Sequence, residues 1–488
     1  MSISTTARPS YDVVVVGAGL SGLQAALTVR AAGLSVCVLE ANNRVGGKTL
    51  TLQSSEKGFN DLGAAWINDT NQSEIFKLFQ RYGIDTEIQL DHGDSVLEPA
   101  VGSIVKLPYG QLPGNPTVFI NLMMVLRAES AIVDINNPCN SPGAKEIDHT
   151  TFEDFCVSRT KSEDAADIAD LICSALLGVE SDEVSALFML HYIKCGCGID
   201  NLLSDQKDGG QYLRNRQGIY HGKREPSVLV LGANGLGNQT ISRRMAKELG
   251  PGSVLLRNPV TSIDQSQESK CVITTESGLV VHSRKVIVSI PTTLYPSIEF
   301  TPPLPEKKAA LGENTAMGYY SKMVFVFDKP WWRNAGFSGC LDAEIGPISF
   351  SRDTSIPADG QWSITCFIVG ERGRQWSKLS KAARYCQVWE QFSRGFGKFV
   401  EDIPEPANTL EVEWLKQAFF LGAPCPVMAP GVMTAVGTEL TTSFENIHFV
   451  GTETASVWRG YMEGAVRSGQ RGGAEVVQAL SKGLNGRV

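Results

Sequence analysis

The chain has 488 residues, too many for one ordinary domain, and its 42% hydrophobic and 20% charged residues suit a soluble protein with a sizeable buried core. Its 44 basic and 52 acidic residues leave a net charge of −8 without a long run of either sign, which argues against nucleic acid or an anionic membrane as the main partner. Eleven cysteines lie scattered without a C-x-x-C pair or any metal-ligand spacing. No run of about 18 apolar residues occurs, and the opening MSISTTARPSYD lacks the apolar stretch of a secretion signal. The expectation is a soluble, cytoplasmic protein with free thiols, no metal, and no membrane or nucleic-acid partner.

Residues 11–16 (YDVVVV) read as a buried parallel strand that runs straight into Gly17-Ala18-Gly19-Leu20-Ser21-Gly22. The alanines and leucines that follow predict a helix ending at Gly33, and residues 35–39 (SVCVL) predict a second strand ending on Glu40. In this strand–turn–helix context the three glycines predict a dinucleotide cradle. Gly17 permits the tight turn, Gly19 lets backbone approach a pyrophosphate, and Gly22 lets helix pack on strand. Glu40 follows Gly22 by 18 residues, close to the spacing of about 20 expected for a ribose-binding acid. Its charge argues against a 2′-phosphate.

Residues 41–49 (ANNRVGGKT) add a second oxyanion contact: Gly46 and Gly47 expose backbone amides, and Arg44 and Lys48 supply charge. The glycine cradle with this extension resembles the flavin monoamine oxidase family, whose members include covalent FAD enzymes. The resemblance implies FAD as cofactor. It also implies an α/β fold: a discontinuous Rossmann-like FAD-binding domain with a mixed-sheet α+β substrate domain, of amine oxidase type.

The resemblance continues along the chain. Residues 61–66 (DLGAAW) match the family segment lying along the flavin, with Gly63, Ala64, Ala65 and Trp66 as cofactor residues, and Val260 joins the cofactor set on the same likeness. Leu202 and Leu203 resemble the apolar gate of the substrate cavity; plain core packing is the equal alternative. Residues 218–237 are an unusual stretch between family elements, read as a surface insertion or a translated intron, and their SVLVLGANGLG lacks the βαβ context of a second nucleotide site. Pro291 closes a strand, residues 302–332 resemble a substrate-domain helix and strand, and residues 362–369 (WSITCFIV) read as a further strand. Lys322 stands where the family holds a water against flavin N5; a solvated strand lysine is the plainer reading.

Residues 414–433 (WLKQAFFLGAPCPVMAPGVM) resemble the segment in which a cysteine thioether joins the flavin. Trp414 is thereby a cofactor residue and Cys425 the attachment point, against the commoner role of cysteine as a small buried hydrophobe. Residues 447–455 (IHFVGTETA) predict a strand and a turn, and the following WRGYMEGA opens a helix to about residue 480. By resemblance Gly451, Glu453, Tyr461, Met462 and Ala465 meet the flavin, with Tyr461 one wall of an aromatic cage. Two departures concern the substrate side. Pro426 stands where the family usually has an aromatic residue, and Arg459 replaces a small one.

The implied cofactor domain comprises 1–85, 238–298 and 418–480; the substrate domain comprises 86–237 and 299–417. The implied reaction is oxidation of a C–N bond of a bulky amine or indole alkaloid by hydride transfer to flavin N5, with oxygen as acceptor and Lys322 and Tyr461 as the catalytic pair. No acid–base pair is visible in the sequence. A second reading is an oxidative ring-closing dehydrogenase of fungal secondary metabolism, of the β-cyclopiazonate type. A third is a flavin-binding scaffold without turnover.

Overall fold

Val13, Val14 and Val15 are wholly buried because the strand Ser10–Val16 lies inside a sheet, with parallel neighbours Val36–Leu39 on one side and Val280–Val288 on the other. The computed structural model describes residues 9–56, 58–111, 116–216 and 237–485. The stretch 218–237 therefore falls outside the described residues except for Gly237. The chain divides into two compact units, one of residues 1–48, 241–315 and 432–488, the other of residues 49–240 and 316–431.

In the first unit the sheet continues beyond Val36–Leu39 to Val254–Leu255. Beyond Val280–Val288 it runs antiparallel through Lys270–Thr275 to Val260–Gln267, then parallel to Glu299–Thr301. Ile447–Phe449 also pairs, in parallel, with Val280–Val288. The core beneath holds Val14, Val16, Leu39, Ile263, Val286 and Phe449. Helix Leu20–Ala31 packs against helix Met462–Asn485, and a Cβ on Gly469 would stand only 2.3 Å from the Ser21 carbonyl oxygen, so the two helices meet through backbone.

The second unit is built on a seven-stranded sheet in the order Asn408–Glu413, Tyr320–Phe327, Trp362–Val369, Phe350–Asp353, Phe337–Ala343, Asp94–Glu98, Val105–Pro108. Along Tyr320–Phe327 alternate residues take opposite faces. Met323, Phe325 and Phe327 enter an aromatic core with Trp332, Phe392 and Phe396, while Val324 and Val326 join Leu62, Val412 and Trp414. Its helices include Thr117–Ala131, Phe152–Thr160, Asp164–Leu177, Ala186–Cys195 and Lys381–Gly397. Thr151 and Ser185 cap two of them, accepting from the amides of Asp154 and Phe188.

The unit bounds differ from the expected domain bounds at 49–85, 238–240, 299–315 and 418–431, and the pairings account for most of this. Trp66–Ile67 is bonded to Leu213–Asn215, and Met428 accepts from the amide of Ser185. Glu299–Thr301 is instead the edge of the first unit's sheet. Among the described residues no helix is long and apolar enough to cross a membrane, and no disulfide joins the eleven cysteines.

Candidate active site

In the first unit the strand ending at Val16 turns at Gly17, whose φ of 98° suits glycine, and the helix opens at Leu20 behind Gly19, which offers no side-chain cap. The first-turn amides are thus left to a ligand, at the positive end of a 12-residue helix. Glu40 is buried with both carboxylate oxygens engaged: Ala18 N donates to one at 2.6 Å and Asn42 N to the other at 2.8 Å. Gly46 N donates to the Ala18 carbonyl at 2.8 Å, bringing the second glycine pair beside the first. A Cβ on Gly47 would come within 3.2 Å of Gly19 Cα. Arg44 Nη2 donates to Gly47 O at 2.8 Å, and burial lowers the Arg44 pKa. Only bare backbone leaves room for a diphosphate here, and an acid stands at the ribose position, so the cradle fits FAD. Val260 begins its strand in the core of the same sheet.

The segment after Ile447–Phe449 folds into a short 3-10 turn at Thr452–Thr454 and then helix Met462–Asn485. Thr452 Oγ1 stitches the connection, accepting from Gly460 N at 2.8 Å and donating to Tyr461 O at 2.9 Å. Trp458, fully buried with a left-handed φ of 51°, meets the Tyr461 ring edge to face at 4.8 Å. Gly451 N donates to Ser468 Oγ. Glu453 is buried, which raises its pKa, while Lys48 and Arg459 draw it down. Arg459 is 2% exposed. Met462 and Ala465 lie in the first turn of the helix.

In the second unit Lys322 projects from the face of Tyr320–Phe327 that carries Val324 and Val326. It is 4% exposed. Its Nζ donates to Gly63 O at 2.5 Å and to Asp61 O at 3.3 Å, and lies 5.3 Å from the Trp66 ring and 5.2 Å from the Phe367 ring. Burial lowers its pKa to about 8, with Asp61 opposing. The plainer expectation of a solvated strand lysine is therefore set aside. Trp414 Nε1 donates to Leu62 O at 3.1 Å, which ties the same segment from its other side. Ala64 and Ala65 complete that turn.

Cys425 is wholly buried and precedes the short strand Pro426–Met428. Leu202 and Leu203 part company. Leu202 is buried against the backbone of Gly196, whereas Leu203 is 40% exposed and lines a hollow of about 450 Å³ with Tyr109, Phe119 and Ile199.

Two residues beside Lys322 lie in segments that the sequence marks, but their link to Lys322 is not visible there. Phe367 is its cross-strand partner in the antiparallel register, visible only once Tyr320–Phe327 is paired with Trp362–Val369. Asp61 adjoins the Gly63–Trp66 segment in sequence, but nothing local marks its burial next to a lysine.

A mixed sheet with parallel central strands, a glycine-lined helix start and a ribose-position acid defines a dinucleotide-binding flavoprotein fold. The chain matches the flavin-containing amine oxidoreductases over residues 20–477. It is 32% identical over 476 residues to a probable flavin-containing monoamine oxidase A of Dictyostelium discoideum, covering 96% of this chain and 98% of that one. It is 30% identical over 479 residues to human flavin-containing amine oxidase B, covering 96% and 87%. Among solved structures, cyclohexylamine oxidase from Brevibacterium oxydans superposes with a TM-score of 0.85 at 28% identity, over 97% of this chain and 100% of that chain. Putrescine oxidase bound to putrescine superposes with a TM-score of 0.85 at 26% identity, over 96% and 99%. The chain belongs to the flavin-containing amine oxidase family and is an FAD-dependent oxidoreductase.

Proposed function

We propose that this enzyme oxidises the C–N bond of a bulky amine or indole-alkaloid substrate, with Lys322 and Tyr461 at the reacting centre and oxygen as electron acceptor. The reading is carried by Lys322: a buried ammonium held on the Gly63 carbonyl between two aromatic rings. FAD, when bound, supplies the hydride acceptor. The chain's own part is to bind, orient and exclude water. With a pKa near 8, Lys322 is mostly charged at neutral pH and can donate a hydrogen bond to a reduced oxygen species without bulk solvent. Tyr461, braced by Trp458, offers a fixed aromatic wall against which an uncharged amine can lie.

Pro426 and Arg459 support a substrate larger than a simple arylalkylamine, since the second aromatic wall of the family cage is missing at 426. They also support the second reading, oxidative ring closure of a prenylated indole of the β-cyclopiazonate type. The further site assignments, namely covalent attachment through Cys425 and gating at Leu202 and Leu203, follow the sequence likeness. Placement in the cytoplasm rests instead on the scattered cysteines, which read as free thiols of a reducing compartment.

The test is anaerobic bleaching of the purified yellow protein by a panel of amines and indole alkaloids, followed by readmission of oxygen and peroxide assay. Bleaching by bulky amines with peroxide release is expected. Bleaching by a prenylated indole with a cyclised product would select the second reading, and an unbleached flavin under every donor would reject both.

A further inference from the structure

We propose that Asp61 is a positioning residue for Lys322: its backbone carbonyl helps seat the buried ammonium, and its carboxylate, anchored in the same turn, keeps that ammonium charged. This rests on the role given to Lys322 above.

The geometry is local and rigid. The turn that presents the Asp61 and Gly63 carbonyls to Lys322 Nζ also carries the Asp61 carboxylate. That carboxylate cannot swing, because its Oδ1 accepts from Thr51 Oγ1 at 2.5 Å and from Asn238 N at 3.0 Å. Thr51 Oγ1 is itself fixed, accepting from Gln239 N at 3.2 Å. A polar cavity of about 30 Å³ adjoins the acid, lined by Asn60, Asp61, Arg214, Asn215, Thr354 and Asp359. It is roomy and polar enough for one water. Arg214, 5% exposed, donates through Nη2 to Ser355 O at 2.9 Å, while its Nε lines up no hydrogen-bond acceptor among the described residues. The half-buried Asp61 carboxylate thus feels two buried cations, Lys322 and Arg214. Asp359 lies across the cavity, and Asp353, Glu87 and Arg333 act on Arg214 more strongly than Asp61 does.

The electrostatics follow. Burial raises Asp61 to about 6, with Thr51, Asn238, Lys322 and Arg214 pulling down; burial lowers Lys322 to about 8, with Asp61 pulling up. Between those values both groups are charged and the pair is intact. Without the carboxylate the ammonium is desolvated with no anion beside it, and it gives up its proton at lower pH.

The experiment compares wild type, Asp61→Asn and Lys322→Met as holoenzymes, with flavin absorbance as the check on cofactor loading. Asparagine keeps an acceptor oxygen for Thr51 and Asn238, so the turn should survive. In stopped-flow reoxidation of the reduced enzyme by oxygen, the high-pH loss of rate should move down by about one pH unit in Asp61→Asn. The second readout is Tm against pH, which needs no turnover. A carboxyl raised by folding makes stability fall as pH climbs from about 4 to about 6. The share of that fall due to Asp61 should be lost in Asp61→Asn and reach to higher pH in Lys322→Met, which has lost the cation. Superimposable Tm profiles for Lys322→Met and wild type would overturn the pairing. Reciprocal Tm shifts with reoxidation untouched by Lys322→Met would sustain the pairing and overturn the oxygen role of Lys322.

Discussion

A Cβ on Gly22 would stand 2.1 Å from the carbonyl oxygen of Gly17 and 2.5 Å from Ser289 Oγ. The helix start and the strand end therefore touch through backbone, and Ser289 cannot retreat freely because its hydroxyl donates to Val16 O at 2.7 Å. Gly22→Ala should push the first helical turn off the cradle, at a cost of roughly 1–3 kcal/mol. The expected result is a lower Tm together with less flavin per mole of purified protein. Wild-type flavin content would mean that the first turn does not hold the diphosphate.

Glu40 tests the other half of the cradle. Its carboxylate accepts from Ala18 N and Asn42 N, so it both shapes the loop and stands ready for a ribose. Hydrogen bonds to a charged group are worth about 1.5–3 kcal/mol each. Glu40→Ala should weaken FAD binding by roughly ten- to a hundredfold, measured by titrating FAD into apoprotein. Glu40→Gln keeps an acceptor for one of the two amides and should fall between.

The cradle was legible because its signals are local: a valine run, glycines at fixed offsets and an acid at the right distance all sit within residues 11–48. The strand at 362–369 and the strand–turn–helix after residue 447 were legible for the same reason. The surroundings of Lys322 were not. Phe367 and Asp61 come from two separate strands, and their meeting at Lys322 depends on pairings that no short window encodes. The division of the chain was likewise hidden, since it turns on which sheet residues 49–85 and 299–301 join.

Asp353 anchors the far side of the second unit's sheet. It is wholly buried and accepts from Trp332 Nε1 at 2.8 Å, Arg333 Nε at 2.7 Å and Ser355 N at 2.8 Å. Removing the acid strands a cation, an indole N–H and an amide at once. Asp353→Ala should lower stability by about 3–5 kcal/mol, read as the shift in a denaturant midpoint. An unshifted midpoint would show the network to be dispensable.

Cys425 is a buried thiol beside a short strand, and burial alone says nothing of a bond to flavin. Acid precipitation separates the two roles. A thioether leaves the yellow colour on the washed pellet, and Cys425→Ala should release all of it to the supernatant while the native protein still binds FAD. A colourless wild-type pellet would return Cys425 to the core as a small hydrophobe.

Lys308 is another lysine that burial perturbs, and its effect is on stability. It is 1% exposed on helix Glu306–Asn314, donates to Glu439 O, and lies 3.9 Å from the centre of the Phe449 ring. Burial lowers its pKa to about 7, with Glu439 opposing. The unfolded chain, with an ordinary lysine, binds more protons between about pH 7 and about pH 10.4, so stability should rise with pH across that window and be flat below it. Lys308→Met keeps the packing against Phe449 and removes the titration. Its Tm should gain on the wild type's as pH falls from about 9 to about 7, and the two profiles should then run parallel in more acidic buffer. Parallel profiles across the whole range would show that Lys308 titrates like a solvated lysine, with Phe449 and the Glu439 carbonyl sparing it the cost of burial.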